Sequence, residues 1–199
     1  MWASIDSDNN VTELYTRPTA ITYGDVNYPQ NVMSSWTNDE LATIKVYPVV
    51  EDTTNYKDPS YYINTNETFT YYDSVSVNGG TYTNTVVGVY GTATPQSLDD
   101  TTDANGMVTL GLKSNAITTQ NQQAYSLLEP SDWYVVRKSE NGTAIPSDWD
   151  TWRESIRTTY QQQVVAINAC TTVPEFQVLF TPVGDPPVAP LPQFPPSPS

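Results

Sequence analysis

Hydrophobic periodicity changes along the chain and divides it into three regions. Residues 1–109 alternate apolar and polar positions over short runs bounded by turn residues, which predicts β-strands. Residues 110–170 repeat apolar positions at three- and four-residue steps, which predicts two helices. Residues 171–199 hold nine of the 16 prolines and predict an extended tail. The predicted fold class is therefore α+β: a small mixed or antiparallel N-terminal β module, a helical hairpin and a proline-rich arm.

The N-terminal region shows the turn chemistry of hairpins. Alternating runs at residues 2–5 and 11–15 flank a Ser-Asp-Asn-Asn turn, and a second short hairpin turns at Gly24. Thr37 followed by Glu40 is a capping-box pattern, which predicts a short helix near residues 38–45. Strands rich in Thr, Val and Tyr follow, on both sides of an Asn-Gly-Gly turn.

Paired tyrosines occur twice in this strand-rich stretch, at 61–62 and 71–72. One interpretation is a platform on which sugars stack, as in a carbohydrate-binding module. The other is cross-strand aromatic packing on a small sheet. The composition favours packing, and the carbohydrate-binding module is kept as a weaker alternative.

Two helices are predicted in the hairpin region. The first begins within residues 109–114 and ends at Leu128, before a proline. The second starts at Ser147, which we expect to form an approximate capping box with Asp150, and it continues to about Ala169. Its apolar face is made by five residues: Trp152, Ile156, Tyr160, Val164 and Ile167.

Aromatic and basic side chains are concentrated around the connector between these helices. Trp149 and Trp152 are expected to be buried in the hairpin, with Trp133 in the connector itself. Arg153 and Arg157 lie one helical turn apart, and they form either an anion clamp or ordinary surface pairs with neighbouring carboxylates, which are the commoner arrangement. Trp133, Trp149, Arg153 and Arg157 are our candidates for contact with a partner protein.

The proline-rich arm is a second candidate docking element. In polyproline II geometry three residues make one turn, so Val188, Leu191 and Phe194 line up along one edge. Such an edge suits an aromatic-lined groove, although a flexible spacer remains the alternative. The helical and strand patterns contain no position from the arm. We therefore expect that deleting residues 183–199 leaves the folded body intact.

Composition and charge exclude several classes of function. The net charge of −14 argues against phosphate contacts, so nucleic acid is not an expected partner. Histidine is absent and Cys170 is the one cysteine, which excludes Ser-His-Asp catalysis and cysteine-based metal sites. The acidic loop at residues 99–106 places Thr101 and Leu112 where a calcium loop needs carboxylates. No apolar run approaches the roughly 20 residues of a membrane span. We expect no cofactor, metal or membrane partner.

An enzyme is also disfavoured by the distribution of carboxylates. A glycosidase needs two suitably placed carboxyl groups and no histidine. Most acidic residues here lie in turns and helix caps, where local structure explains them. Only Glu67, Glu129 and Glu175 lack such an explanation, and none is near another in sequence. The sequence therefore predicts a binding protein without catalytic residues.

Two motifs and their order resemble a known family. Residues 127–133 read Leu-Leu-Glu-Pro-Ser-Asp-Trp, residues 145–157 contain Trp-Asp-Thr-Trp-Arg-Glu-Ser-Ile-Arg, and a proline-rich end follows. Together they resemble the C-terminal domain of bacteriophage tail assembly chaperone proteins, over roughly residues 115–195. The opening Met-Trp-Ala and the Val-Tyr-Pro-Val-Val at residues 46–50 are similar to small phage tail-region proteins. The connector is longer and more basic than is usual in that family.

The resemblance implies a role in building a phage tail. It suggests a virion structural protein of the fibre, adaptor or baseplate region, which acts by protein–protein docking in a homo- or hetero-oligomeric assembly. Such a protein is made in the cytoplasm of the host bacterium and carried in the virion tail. The alternative is a tail-fibre assembly chaperone that leaves before the virion is complete.

Overall fold

The chain folds into two compact units in the computed structural model, which describes residues 1–198. The first unit is Met1–Thr94, and the second begins at Pro95. Strands dominate the first unit and helices the second, so the predicted α+β class is confirmed. The boundary lies at residue 94 and not at 109, because the acidic loop is tied to the first long helix. There the Asp100 carboxylate accepts the Gly111 N–H at 2.8 Å, and Lys113 pairs with Asp99 at 3.1 Å.

The first unit is built on a five-stranded mixed sheet, in the order β2-β1-β5-β8-β7. β5 and β8 run parallel, while the other neighbouring strands of this sheet are antiparallel. The elements of the unit, with β9 at its boundary, are β1 (Trp2–Ile5), β2 (Val11–Tyr15), β3 (Ile21–Tyr23), β4 (Val26–Tyr28), α1 (Val32–Ser35), α2 (Asn38–Ala42), β5 (Val46–Asp52), β6 (Tyr62–Ile63), β7 (Glu67–Val77), β8 (Gly80–Tyr90) and β9 (Thr94–Pro95).

The predicted hairpins of this unit are confirmed, and their turns show why. Asn78 and Gly79 both have positive φ, at 51° and 76°, and connect β7 to β8 as a two-residue loop. That conformation matches the twist of the flanking strands, and Asn-Gly adopts it readily. The β3–β4 hairpin turns at Gly24, where φ is 59°. Thr37 and Glu40 form the predicted capping box at the start of α2.

Aromatic side chains of the first unit pack against the sheet. Tyr71 lies 4.7 Å from Tyr47, centroid to centroid, beside buried Val86. The Tyr71 hydroxyl donates to Asp73 and to Asn84. Burial, together with the hydrogen bond to the Asp73 carboxylate, raises the pKa of Tyr71 to about 12. The contacts of Tyr71 therefore match the cross-strand packing interpretation.

The second unit contains the two predicted long helices, with boundaries as expected. Its elements are β10 (Thr101–Thr102), β11 (Val108–Thr109), α3 (Leu112–Leu128), a 3-10 turn (Glu129–Ser131), α4 (Asp132–Asn141), α5 (Ser147–Ala169) and α6 (Val173–Phe180). α3 and α5 pack through Ala124, Trp152 and Ile156. The connector is itself helical, because α4 occupies most of it. None of the described helices is long and apolar enough to cross a bilayer.

Two local predictions in this unit are wrong. Ser147 is the first helical residue of α5 and not its N-cap, so no capping box forms with Asp150; Pro146 is the N-cap instead. The segment after Cys170 is not extended throughout, because Thr172 and Glu175 form a capping box that starts α6. The pKa of Glu175 is lowered by the backbone N–H of Thr171. That carboxylate, which lacked an explanation in the sequence, is a helix cap.

Candidate docking surface

The connector helix α4 presents apolar side chains to solvent. None of its residues is buried, and Trp133 is 51% exposed and Val136 53% exposed. Val136 and Arg137 follow Trp133 by three and four residues, so both lie on the same face of the helix as Trp133. We refer to these three residues as the α4 surface. Exposed apolar side chains that lie next to each other, with an aromatic residue among them, are typical of protein–protein interfaces.

Stacked side chains hold Trp133 in place. Its ring lies 3.9 Å from the Tyr134 ring, centroid to centroid, with an interplanar angle of 28°. The Arg137 guanidinium lies 4.8 Å from the Trp133 ring and 5.1 Å from the Tyr134 ring. Tyr134 continues the series to Trp149 at 5.6 Å, and Trp149 meets Trp152 edge-on at 5.5 Å. The exposed indole is thus linked through aromatic contacts to the core of the unit.

Arg137 is fixed from its other side as well. Its Nη2 donates to the Ala144 carbonyl at 3.2 Å, so the side chain spans α4 and the loop that follows it. Gly142 ends α4 with φ of 76°, a left-handed conformation that glycine adopts without strain. The arginine is therefore a cation–π support for Trp133. An ordered side chain loses less entropy when it binds, which favours a role in recognition.

Arg153 is not available to a partner, contrary to its selection as a docking candidate. It is only 4% exposed, and its Nη2 donates to the Asp132 carboxylate at 2.7 Å. Its Nη1 donates to the Leu128 carbonyl at 3.0 Å and also to the buried Ser131 hydroxyl. Arg153 thereby joins α5 to the end of α3 and the start of α4. The surface pairing with a neighbouring carboxylate that was expected for this residue is wrong, because its partner Asp132 lies 21 residues earlier in the chain.

Arg157 forms an ordinary surface pair with a neighbouring carboxylate, which is one of the two arrangements expected for it. Its Nη1 lies 3.6 Å from a Glu154 carboxylate oxygen, and both side chains are exposed. This is an ordinary pair between residues three apart on a helix. Because Arg153 is buried and Arg157 is exposed, the two arginines do not form a clamp for an anion.

The two tryptophans of α5 differ in burial. Trp152 is buried, as predicted, and packs with Ala124 and Ile156. Trp149 is only half-buried, because it lies at the edge of this cluster, between Tyr134 and Trp152. Trp149 is therefore a support of the α4 surface and not a core residue.

The proline-rich arm lies on the helices of its own unit. Leu191 is 4% exposed and its N–H donates to the Leu179 carbonyl at 3.0 Å. Phe194 packs against the Ala124, Trp152 and Ile156 cluster. The arm therefore packs on the folded body, which contradicts the premise behind the expected tolerance of its deletion.

Val188, the third arm candidate, is 51% exposed and does not join that packing. The three residues do not form one free edge, because Leu191 and Phe194 are used by this chain. Periodicity could not reveal this, since the arm contacts helices that are distant in sequence.

The acidic loop is ordered by its own backbone. The Asp103 carboxylate accepts the N–H groups of Asn105 and Met107, at 2.8 and 2.9 Å. These bonds lower its pKa. Throughout residues 1–198, no group of three or more Cys, Asp or Glu side chains is placed to hold a metal ion.

Val136 and Arg137, which complete the α4 surface, were not predicted as docking residues. Their three- and four-residue spacing from Trp133 was present in the sequence, but the connector was not expected to be helical. Comparison with models of protein families, with characterised proteins and with solved structures finds no match to this chain. The surfaces of the chain itself are therefore the structural evidence on its function.

Proposed function

We propose that this chain is a structural protein of a bacteriophage tail, in the fibre, adaptor or baseplate region, and that it acts by docking to other tail proteins. Two lines of support exist. The motifs at residues 127–133 and 145–157 resemble the tail assembly chaperone family. The observation that carries the docking role is the α4 surface, an exposed tryptophan supported by stacked neighbours.

The motif residues position the α4 surface. Ser131 and Asp132 receive the Arg153 guanidinium, which positions the start of α4 against α5. Trp133 follows directly and points outward, while Trp149 supports it through Tyr134. The shared Ser-Asp-Trp and Trp-Arg patterns thus act together to present one exposed indole.

Recognition through Trp133 is energetically reasonable. Tryptophan and arginine are the residues most enriched among interface positions that dominate binding energy. Burial of the exposed part of the indole and of Val136 removes apolar surface from water. Arg137 already restrains the indole, so little further ordering is required. The low charge content of the chain, 15%, leaves such apolar contacts as the main source of affinity.

The experiment supplies tagged full-length chain to cells infected with a phage that lacks its own copy, and measures the chain in purified particles. In the test variant, Trp133→Ser is combined with Val136→Ser. We expect at least a tenfold loss of incorporation, which corresponds to about 1.4 kcal/mol or more of binding energy. The matched control is Tyr125→Ser, which removes an aromatic residue 61% exposed on α3 and outside the α4 surface.

Circular dichroism must show that both variants keep the helical signal of the parent chain. Incorporation of the double variant at the level of the Tyr125→Ser control would refute docking through α4. If the parent chain binds a tail-fibre protein in lysates but is absent from particles, the chaperone alternative replaces the structural role.

A further inference from the structure

Residues 191–195, Leu-Pro-Gln-Phe-Pro, lie on the second unit much as a peptide ligand lies on a receptor. Gln163 Nε2 donates to the Pro192 carbonyl at 2.7 Å, and Trp152 Nε1 donates to the Pro195 carbonyl at 3.2 Å. Both donor side chains are buried, and both belong to α5. The segment runs antiparallel to α5, because the earlier donor residue bonds to the later proline.

The geometry of these contacts is regular. Trp152 and Gln163 are 11 residues apart, which is close to three full helical turns, so both donors lie on one face of α5. Pro192 and Pro195 are three residues apart, which is one turn of polyproline II. Leu191 and Phe194 show the same spacing and supply the apolar contacts. The α5 face therefore offers a buried donor to two carbonyls of this segment, at Pro192 and at Pro195.

Residues 181–190 connect α6 to this segment, and this linker is held weakly. Residues 181–188 are exposed, and a pair of backbone hydrogen bonds between Val183 and Val188, each 3.0 Å, closes a turn. Gly184 stands in that turn with φ of 86°, where a side chain would strain the backbone. Opened into polyproline II, residues 181–190 would span about 30 Å. That distance is sufficient to reach a neighbouring molecule.

We propose that residues 191–195 exchange between copies of this chain, so that the arm of one copy occupies the α5 face of a second. The contacts made in the exchanged state are those made within one chain, so exchange adds only the entropic cost of association. High local concentration offsets that cost. A second copy is the indicated occupant because every copy carries the segment that fits. This proposal does not depend on the phage-tail assignment.

The test mixes two full-length variants with complementary defects. The first carries Leu191→Ser and Phe194→Ser, so its arm is defective and its α5 face is intact. The second carries Trp152→Phe and Gln163→Ala, so its face lacks both donors and its arm is intact. Native mass spectrometry measures association. We expect the mixture to give at least ten times more heterodimer than either variant gives homodimer at the same total concentration.

Two results would overturn the exchange. One is a mixture that stays monomeric while both variants keep the helical signal of the parent chain. The other is a heterodimer that persists after Leu191→Ser and Phe194→Ser are added to the second variant, because the arm would then be irrelevant to association.

A single substitution tests the same proposal in a chain whose docking residues are intact. Gly184→Val strains the closed turn and should raise the dimer fraction several-fold over the parent chain. Gly142→Val is the matched control, since Gly142 also has positive φ, at 76°, with open space around it, but lies outside the linker. An equal dimer fraction in the two glycine variants would contradict arm exchange.

Discussion

Replacing Trp152 by alanine is expected to lower the free energy of unfolding of the helical unit by about 3–5 kcal/mol, the usual cost of removing a core aromatic ring. Trp152 is 6% exposed and contacts Ala124, Ile156 and Phe194 in the packing between α3, α5 and the arm. Its truncation therefore leaves a cavity and also removes the hydrogen bond to the Pro195 carbonyl. α3, α5 and the arm therefore lose a contact that all three share.

Trp152→Phe is the matched control, because it keeps an aromatic ring and loses only the indole N–H and part of the volume. We expect a loss of about 1–2 kcal/mol from this change. Denaturant unfolding followed by circular dichroism at 222 nm reports mainly on the second unit, which holds the long helices. A Trp152→Ala chain as stable as the parent would show that α3, α5 and the arm do not share one core.

Arg153→Ala should have the second largest effect, a loss of about 2–4 kcal/mol. The guanidinium bonds to Leu128, Ser131 and Asp132, and Ser131 is fully buried. Removal of the side chain leaves the buried Ser131 oxygen without this donor, while the Leu128 carbonyl keeps the hydrogen bond from the Ser131 hydroxyl. The Asp132 carboxylate regains water because it is half exposed, so the loss stays below that of a fully buried ion pair.

Arg157→Ala is the comparison for this prediction. Its pair with Glu154 is exposed and longer, at 3.6 Å, so we expect a change within about 0.5 kcal/mol. Both variants remove the same charge from the same helix. Equal effects on the unfolding midpoint of the two variants would contradict the structural role assigned to Arg153.

Elements determined by local chemistry were predictable from the sequence. The Asn78-Gly79 turn and the Thr37–Glu40 capping box specify their structures within a few residues, and both occur as expected. α3 and α5 follow from their apolar periodicity, and their ends agree with the prediction. In each case the sequence pattern that predicts the element lies within the residues that form it.

Elements determined by distant contacts were not predictable. The parallel pairing of β5 with β8 joins strands that β6 and β7 separate along the chain, and periodicity does not specify such a partner. The arm was expected to be free because no local pattern indicates that Leu191 meets Leu179 or that Pro192 meets Gln163. α6 was missed for a different reason, since the high proline content of the tail obscured the capping box at Thr172.

The candidate docking surface was predictable in part. Trp133 was selected because it lies in an aromatic, basic connector, and the structure exposes it. Arg153 was selected by the same reasoning, yet it is buried against Asp132. The sequence does not distinguish an arginine that faces solvent from one that joins three helices. That distinction depends on packing that only the folded chain shows.

Quantitative mass spectrometry of purified particles tests the proposed tail role most directly. Under the proposed function a phage genome encodes this chain, and the measurement compares particles of that phage with the lysate from which they were purified. A structural role predicts the chain in the particles, at a constant ratio to the other tail proteins, through successive gradient purifications. A chain abundant in the lysate and lost from the particles would contradict that role.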